Sequence, residues 1–137
     1  MAKQPFSYNE YLDSVPVERK EAVEQVWRMV RDSMPEGYTE QISPKYLMFA
    51  ADGEMYVALA NQKNYISLHL VPIYVFPELK AKLDNSGKKM KGRKGCVNFL
   101  RAEELSLDII AQVIGSCEAE TYKEKMRQLR GKKKSKK

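Results

Sequence analysis

The sequence predicts an α+β domain, in which an antiparallel sheet of about five strands packs against a long N-terminal helix and C-terminal helices. Three observations lead to this fold class. Apolar residues recur every three to four positions near both ends of the chain, whereas they alternate in its middle. The connections between the alternating segments are too short for parallel crossovers. The order of helix, antiparallel strands, helix, strand and helices is that of a layered α+β domain.

The N-terminal part of the chain predicts one short and one long helix. Phe6 to Leu12 is expected to form a short helical turn. Pro16 suits the first turn of the long helix, because a helix needs no donor from that nitrogen. Between Val23 and Met34, apolar side chains recur at three- and four-residue steps and form one stripe. The Pro-Glu-Gly sequence at 35–37 ends this helix.

The middle of the chain predicts an antiparallel meander. Thr39 to Ile42 is expected to form its first strand. The stretch YLMFAADGEMYVALA (46–60) contains two apolar runs joined at Asp52-Gly53, which is the strongest short signal for a hairpin. After a turn at 61–64, the alternating stretch YISLHLV (65–71) predicts a further strand, and CVNF (96–99) predicts the last one.

The C-terminal region predicts further helices. Residues 76–83 are expected to form a short helix. Ser106 is predicted to cap the next helix, with Leu105 and Ile110 as a hydrophobic staple. A last helix is expected to start at Ser116. Its apolar face consists of Ala119, Tyr122, Met126 and Leu129.

The length of 137 residues predicts a single domain, which we place at residues 1–130, followed by a disordered basic tail at 131–137. No apolar run approaches the ~20 residues that a membrane helix needs, and the N-terminus lacks the apolar core of a signal peptide. We therefore expect a cytoplasmic protein without a membrane partner. Cys96 and Cys117 are expected to be buried free thiols, because they form no CxxC motif and no histidine lies at ligand spacing.

Positive charge is concentrated in two segments of the chain. The net charge of +6 divides into −4 for residues 1–79, +7 for 80–101, −5 for 102–120 and +8 for 121–137. This asymmetry favours an anionic partner. A small anionic ligand is the preferred interpretation. Nucleic acid is an alternative partner that would bind mainly through electrostatic contacts, although the sequence contains no named nucleic-acid motif.

The basic loop GKKMKGRKGCVNF (87–99) is the first part of the candidate site. It resembles a P-loop, but Arg93 and Lys94 stand where that motif has a lysine and a hydroxyl residue. A helix is also expected before the loop and a strand after it, which is the reverse of the P-loop order, so a nucleoside triphosphatase is disfavoured. Lys88, Arg93 and Lys94 are instead predicted to contact a phosphate or carboxylate. A solvated basic loop is the alternative interpretation.

The polar face of the predicted strand at 65–71 is the second part. Tyr65, Ser67 and His69 point to this face, and Lys63 precedes them in the turn. Tyr65 and His69 are expected to line a shallow pocket. The alternative interpretation is that this face of the strand is exposed to solvent and binds nothing. A catalytic role of His69 as a base would need a carboxylate partner, which the sequence does not place. A role as a metal ligand would need further histidine or cysteine ligands, which the sequence does not offer. A pairing of His69 with Cys96 has no support in the sequence beyond the presence of both.

Carboxylates near the start of the long helix form an alternative site for a metal. They are Glu10, Asp13, Glu18 and Glu21. Carboxylate clusters suit hard cations. Arg19 and Lys20 interrupt this group, so a solvated face that interacts favourably with the helix dipole is the preferred interpretation.

Three segments together resemble a known bacterial family. They are YLDSVPVERKEAVEQVWRMVRDSMPEGYTEQIS, NQKNYISLHL and GKKMKGRKGCVNFLRAEELSLDIIAQVI. Over roughly residues 8–130 the chain resembles the YdhG-like domain-of-unknown-function family. The resemblance implies a compact α+β sandwich similar to the frataxin fold. It also implies no established activity for most members, whereas one branch is regarded as an iron chaperone.

Two features depart from the pattern of this family. Similar members tend to read Gly-Lys-Ser before the Cys-Val strand, whereas this sequence has Arg93-Lys94-Gly95, which loses a hydroxyl contact and keeps Lys94. An iron role would depend on an acidic first helix, and here basic residues are mixed with the acidic ones. These departures disfavour iron handling.

Taken together, the sequence predicts a non-enzymatic protein that binds a small ligand bearing phosphate or carboxylate, with no cofactor. The predicted ligand-binding residues are Lys63, Tyr65, His69, Lys88, Arg93 and Lys94. An iron chaperone that uses the early carboxylates and a nucleic-acid accessory protein that uses the basic loop and tail are the alternatives. No catalytic residue is predicted.

Overall fold

The computed structural model describes residues 7–85 and 96–135, with side chains up to residue 129. Its strands are Thr39–Ile42 (β1), Leu47–Ala51 (β2), Glu54–Asn61 (β3), Ile66–Leu70 (β4) and Cys96–Phe99 (β5). Its helices are Tyr8–Ser14 (α1), Val17–Ser33 (α2), Val71–Val75 (α3), Pro77–Asp84 (α4), Leu107–Gly115 (α5) and Ala119–Ser135 (α6), with a 3-10 turn at Ala102–Glu104. The α+β class with a five-stranded antiparallel sheet, as predicted from the sequence, is confirmed.

The strands lie in the sheet in the order in which they follow one another along the chain. One row of cross-strand partners, Ile42, Leu47, Leu59, Leu68 and Val97, crosses all five strands. The four residues of this row on β2 to β5 are buried, and they belong to one hydrophobic core with the apolar stripes of α2 and α5. This row therefore defines the inner face of the sheet.

The β2–β3 hairpin turns at Asp52 and Gly53, whose φ angles are 52° and 80°. Two consecutive positive φ angles are those of a type I′ turn, which matches the right-handed twist of the strands. The hairpin predicted at Asp52-Gly53 is thus confirmed. A register shift between Phe49 and Ala50 leaves Tyr56 of β3 without a directly opposed residue on β2.

Tyr56 is fully buried and joins the sheet to the C-terminal helices. Its hydroxyl donates a hydrogen bond to the carbonyl of Ile114 at 2.6 Å. Its ring stacks on Tyr38 with centroids 4.3 Å apart and meets Tyr122 edge-on at 4.8 Å. Tyr38 donates to the carbonyl of Cys117, and Tyr122 donates to that of Met55. The three hydroxyls therefore satisfy their hydrogen-bonding needs, while the rings of Tyr56 and Tyr122 fill the core and the half-buried ring of Tyr38 packs against it.

Helix α2 contacts the sheet through Trp27, which is fully buried. Its ring stacks on Phe49, and its Nε1 donates a hydrogen bond to Oε2 of Glu40 on β1 at 2.7 Å. Arg31, one turn further along the helix, donates to the same carboxylate oxygen at 2.8 Å. Glu40 thus accepts from two residues of α2, and this fixes the helix against the first strand.

Several helix boundaries differ from those expected. Helix α1 spans Tyr8–Ser14, and Pro16 is the N-cap of α2 and not part of its first turn. Helix α3 was not predicted, because the alternating pattern of β4 continues through residue 71, but the chain turns helical at Val71 with Pro72 in the first turn.

The C-terminal helices show further differences. Ser106 is the N-cap residue of α5, but its side chain makes no cap hydrogen bond, so that part of the prediction is wrong. Leu105 and Ile110 are buried at the expected staple positions. Helix α6 begins at Ala119 instead of Ser116, and Leu129 on its predicted apolar face is 36% exposed. The backbone of α6 stays helical to Ser135, past residue 130, and residues 136 and 137 lie outside the described part. The division of the chain at residue 130 stays a prediction.

Two glycines with positive φ allow a matched test of this packing. A Cβ at Gly37 (φ 99°) would lie 2.6 Å from Cβ of Ala119, whereas a Cβ at Gly53 (φ 80°) would contact nothing within 4 Å. Gly53→Ala is expected to cost only the backbone strain, ~1–2 kcal/mol. Gly37→Ala is expected to lose a further ~1–3 kcal/mol from overpacking. Urea denaturation measures both, and equal losses would contradict the close approach of α6 to the α2–β1 connection.

Candidate functional site

The outer face of the sheet carries a row of mixed polar and apolar side chains. Gln41, Met48, Ala58, His69 and Cys96 are cross-strand partners in register from β1 to β5. Ala58 is buried, Gln41 is exposed, and the other three are half-buried. This row alternates with the inner row, so its side chains lie on the opposite face of the sheet from α2 and α5.

A second, shorter row lies beside the first on the same face. Ala60, Ser67 and Asn98 are partners across β3, β4 and β5, and all three are half-buried. Among the described residues of these two rows, the neighbours of His69 are therefore uncharged. The prediction that Tyr65, Ser67 and His69 share one face of β4 agrees with the burial of residues 66, 68 and 70 on the other face.

His69 and Cys96 are in polar contact on the outer face. Nδ1 of His69 lies 2.9 Å from Sγ of Cys96, and the two residues are directly paired across β4 and β5. Partial burial of the imidazole lowers the pKa of His69, because the charged form loses hydration. A neutral imidazole therefore predominates at neutral pH. It accepts the thiol proton at Nδ1 or donates to sulfur, depending on its tautomer.

Lys63 and Tyr65 lie at the other end of β4, in the turn that follows β3. The carbonyls of this turn accept hydrogen bonds from Arg19 of α2. Nη1 of Arg19 donates to Oδ1 of Asn61 and the carbonyl of Gln62, each at 2.7 Å, and Nη2 donates to the carbonyl of Lys63 at 3.2 Å. The side chains of Lys63 and Tyr65 are exposed. The guanidinium of Arg19 thus holds the backbone of the turn and leaves both side chains free of its contacts.

The structure brings together only part of the predicted site. Tyr65 directly precedes β4, and the step of four residues from Tyr65 to His69 corresponds to roughly 13 Å along the strand direction. Lys88, Arg93 and Lys94 lie outside the described residues. Cys96 is the first described residue after that segment.

The four carboxylates of the alternative metal site do not form one group. Glu10 belongs to a capping box, in which its Oε1 accepts from the backbone N–H of Ser7 at 3.0 Å. Asp13, Glu18 and Glu21 are exposed. Glu18 and Glu21 line open grooves between α2 and the 3-10 turn. Within residues 7–85 and 96–135, no three His, Cys, Asp or Glu side chains are grouped so that they could hold a metal ion.

The contacts of two residues are not predictable from local sequence patterns. The contact of Cys96 with His69 depends on the register of β4 against β5, and 25 residues of sequence lie between these strands. The position of Arg19 in an acidic cluster does not indicate its contacts with the β3–β4 turn. The run of turn residues at 61–64 was the available signal, since a turn with several free carbonyls needs donors.

No helix in the described part of the chain is long and apolar enough to cross a membrane. The cytoplasmic location stays a prediction.

Comparison with known proteins bears on the fold. No protein-family model matches the sequence, and no curated protein matches it. Among solved structures, the chain is similar to the crystal structure of a DUF1801-family protein, YdhG, from Bacillus subtilis, with a TM-score of 0.60. The fold is YdhG-like. The alignment covers 78% of this chain and 84% of that chain at 12% sequence identity, so the likeness concerns the fold alone. The YdhG-like architecture that the resemblance implied is thereby confirmed, and its further similarity to frataxin stays a prediction.

The contacts of Arg19 in this YdhG-like domain predict a specific loss of stability. Arg19→Ala is expected to lower the free energy of unfolding by about 1–2 kcal/mol, because the carbonyls of the β3–β4 turn lose charged donors. Arg28→Ala, which removes an exposed guanidinium from the same helix, is the matched control and should change it by less than about 0.5 kcal/mol. Urea denaturation measures both. Equal effects would show that the turn does not depend on Arg19.

The lowered pKa of His69 predicts a pH dependence of stability. His69 is the only histidine in the chain, so its ring protons give one titration curve by NMR. The midpoint is expected below the ordinary value of 6.5 in the folded protein. As the pH falls through 6.5, the unfolded chain binds a proton first, so stability decreases until the lower folded pKa is reached. The same titration in the urea-unfolded protein gives the pKa of His69 in the unfolded state for comparison. A folded midpoint at or above 6.5 would contradict the burial of the imidazole.

Proposed function

We propose that the protein binds a small anionic ligand, bearing phosphate or carboxylate, on the outer face of the sheet near His69, without catalysing a reaction. The observation that supports this most strongly is the half-buried imidazole of His69, oriented by Sγ of Cys96. When the thiol donates to Nδ1, the ring carries its proton on Nε2, which then is a donor for a ligand. A donor in a partly dehydrated position binds an anionic oxygen more strongly than one in open water.

The cations of the proposed site come from the chain segments that precede β4 and β5 in the sequence. Lys88, Arg93 and Lys94 are the proposed source of charge-assisted hydrogen bonds, because their segment leads directly into Cys96 and residues 80–101 carry a net charge of +7. Lys63 and Tyr65, in the turn held by Arg19, would contact the far end of a longer ligand. Tyr65 supplies a ring surface and Lys63 a positive charge.

The two alternatives have less support. An iron chaperone would need Glu10, Asp13, Glu18 and Glu21 to act together, but Glu10 is used as a cap and the others are exposed on α1 and α2. A nucleic-acid accessory function would depend on the basic residues at 131–137, whose side chains lie outside the described part. Nucleic acid therefore stays an alternative partner predicted from charge alone.

Thermal denaturation with and without added anions tests the proposal. Inorganic phosphate, pyrophosphate and citrate are compared with sodium chloride at equal ionic strength, so that general screening is constant. A ligand present at 100 times its dissociation constant stabilises the folded state by about 2.7 kcal/mol, which corresponds to a rise of several degrees in Tm. Lys94→Ala is expected to abolish this rise.

Lys45→Ala is the matched control, because it removes the same charge from the exposed β1–β2 connection, at the opposite edge of the sheet from β5. It should leave the anion-dependent rise unchanged. If no anion raises Tm above the chloride reference, or if both lysine variants reduce the rise equally, the proposed site is wrong.

A further inference from the structure

The two cysteines of the chain have contrasting environments. Cys117 is 4% exposed, and burial raises the pKa of its thiol. Cys96 is half-buried on the outer face of the sheet, at the start of an edge strand. Its sulfur lies 2.9 Å from an imidazole nitrogen. One thiol is thus enclosed by the core, while the other is accessible and in contact with a base.

We propose that Cys96 is a reactive thiol, with His69 as its general base, that exchanges with low-molecular-weight disulfides to form a mixed disulfide. The geometry supports this directly. The two residues are cross-strand partners in the β4–β5 ladder. Strand pairing therefore sets the distance between their side chains, and no flexible loop has to bring them together. Thiol and imidazole within hydrogen-bond reach form the arrangement that activates cysteine nucleophiles.

The exchange needs no reactant other than the small disulfide. The thiol proton of Cys96 passes to Nδ1 of His69, and the thiolate sulfur attacks one sulfur of the disulfide R–S–S–R. The S–S bond of the reagent breaks as the new bond between Cys96 and one R–S group forms. The departing R–S⁻ takes the proton from the imidazolium. The small disulfide is reduced to one thiol, and Cys96 is oxidised.

The described residues around His69 and Cys96 on the outer face are uncharged, and His69 is therefore the group that activates the thiol. On the outer face, β3 supplies Ala58 and Ala60, β4 supplies Ser67 and β5 supplies Asn98, and β2 contributes Met48 one strand further away. None of these described residues is charged. Partial burial lowers the pKa of His69, so the imidazole is a neutral base that takes the thiol proton during attack.

The size and chemistry of the reagent follow from the same surroundings. A sulfur that is half-buried on the face of the sheet is reached by a small disulfide more readily than by a protein disulfide. Because the exchange needs only access and the base, it does not require the anion site proposed above. A cationic and an anionic disulfide therefore separate the two proposals.

The experiment measures which thiol of the folded, reduced full-length chain reacts at pH 7. Oxidised glutathione, which is anionic, and cystamine, which is cationic, are added separately, and the adducts are followed over time by intact-protein mass spectrometry. One fast adduct is expected with each reagent. It should be lost in Cys96→Ser and retained in Cys117→Ser.

The role of His69 is tested by the rate. His69→Ala is expected to slow adduct formation at Cys96 at least about tenfold at pH 7. Ser67→Ala is the matched control on the same strand and face, and it should leave the rate unchanged. Circular dichroism checks that each variant is folded, and His69→Asn replaces His69→Ala if the latter is not. An excess of reaction with oxidised glutathione over cystamine would support the anion site in addition.

Two results would overturn the inference. One is reaction of Cys96 no faster than that of a free small-molecule thiol of ordinary pKa with both reagents. The other is a rate that His69→Ala and His69→Asn leave unchanged. Equal rates for the two reagents, combined with a fast Cys96 that depends on His69, would keep this inference and argue only against the anion site.

Discussion

Burial of the inner face of the sheet determines the register of the strands, and the arrangement of the outer face follows from it. Leu47, Leu59 and Leu68 stand in one row, and each large side chain contributes ~1.5–3 kcal/mol when it leaves water. A slip of one residue in any strand would expose its apolar set. The contact between His69 and Cys96 lies in the neighbouring row. It is therefore a geometric result of burying the leucines on the other side.

Helix α2 is attached to the sheet at two places by polar contacts. In its first turns, Arg19 donates to the carbonyls of the β3–β4 turn. In its second half, Trp27 and Arg31 donate to the carboxylate of Glu40 on β1. Nonpolar packing alone tolerates rotation and sliding, whereas these directional bonds fix the position of the helix across the strands. The helix thus both covers the core and orients the turn that carries Lys63 and Tyr65.

Local patterns were sufficient to predict most elements of the fold. The hairpin at Asp52-Gly53 was predictable because two adjacent positive φ angles favour this pair of residues. The stripe of α2 was predictable because its period is that of a helix. Helix α3 was not predictable, since a short buried apolar segment is compatible with the period of a strand and with that of a helix. The site was predicted less completely. His69 was placed on the correct face, but its contact with Cys96 depends on the pairing of strands that are distant in sequence, and no local pattern encodes it.

The sequential order of the strands has a consequence for how the fold forms. Strands β1 to β4 are joined by short connections, so their pairs close small loops, whereas β5 joins only after a connection of 25 residues between Leu70 and Cys96. The entropy of closing that loop is the largest in the sheet, which favours the docking of β5 after the other strands have paired. Cys96 meets His69 only when this strand is in place. The contact between the thiol and the imidazole therefore requires that β5 has paired with β4, and chains in which β5 is not yet docked lack this contact.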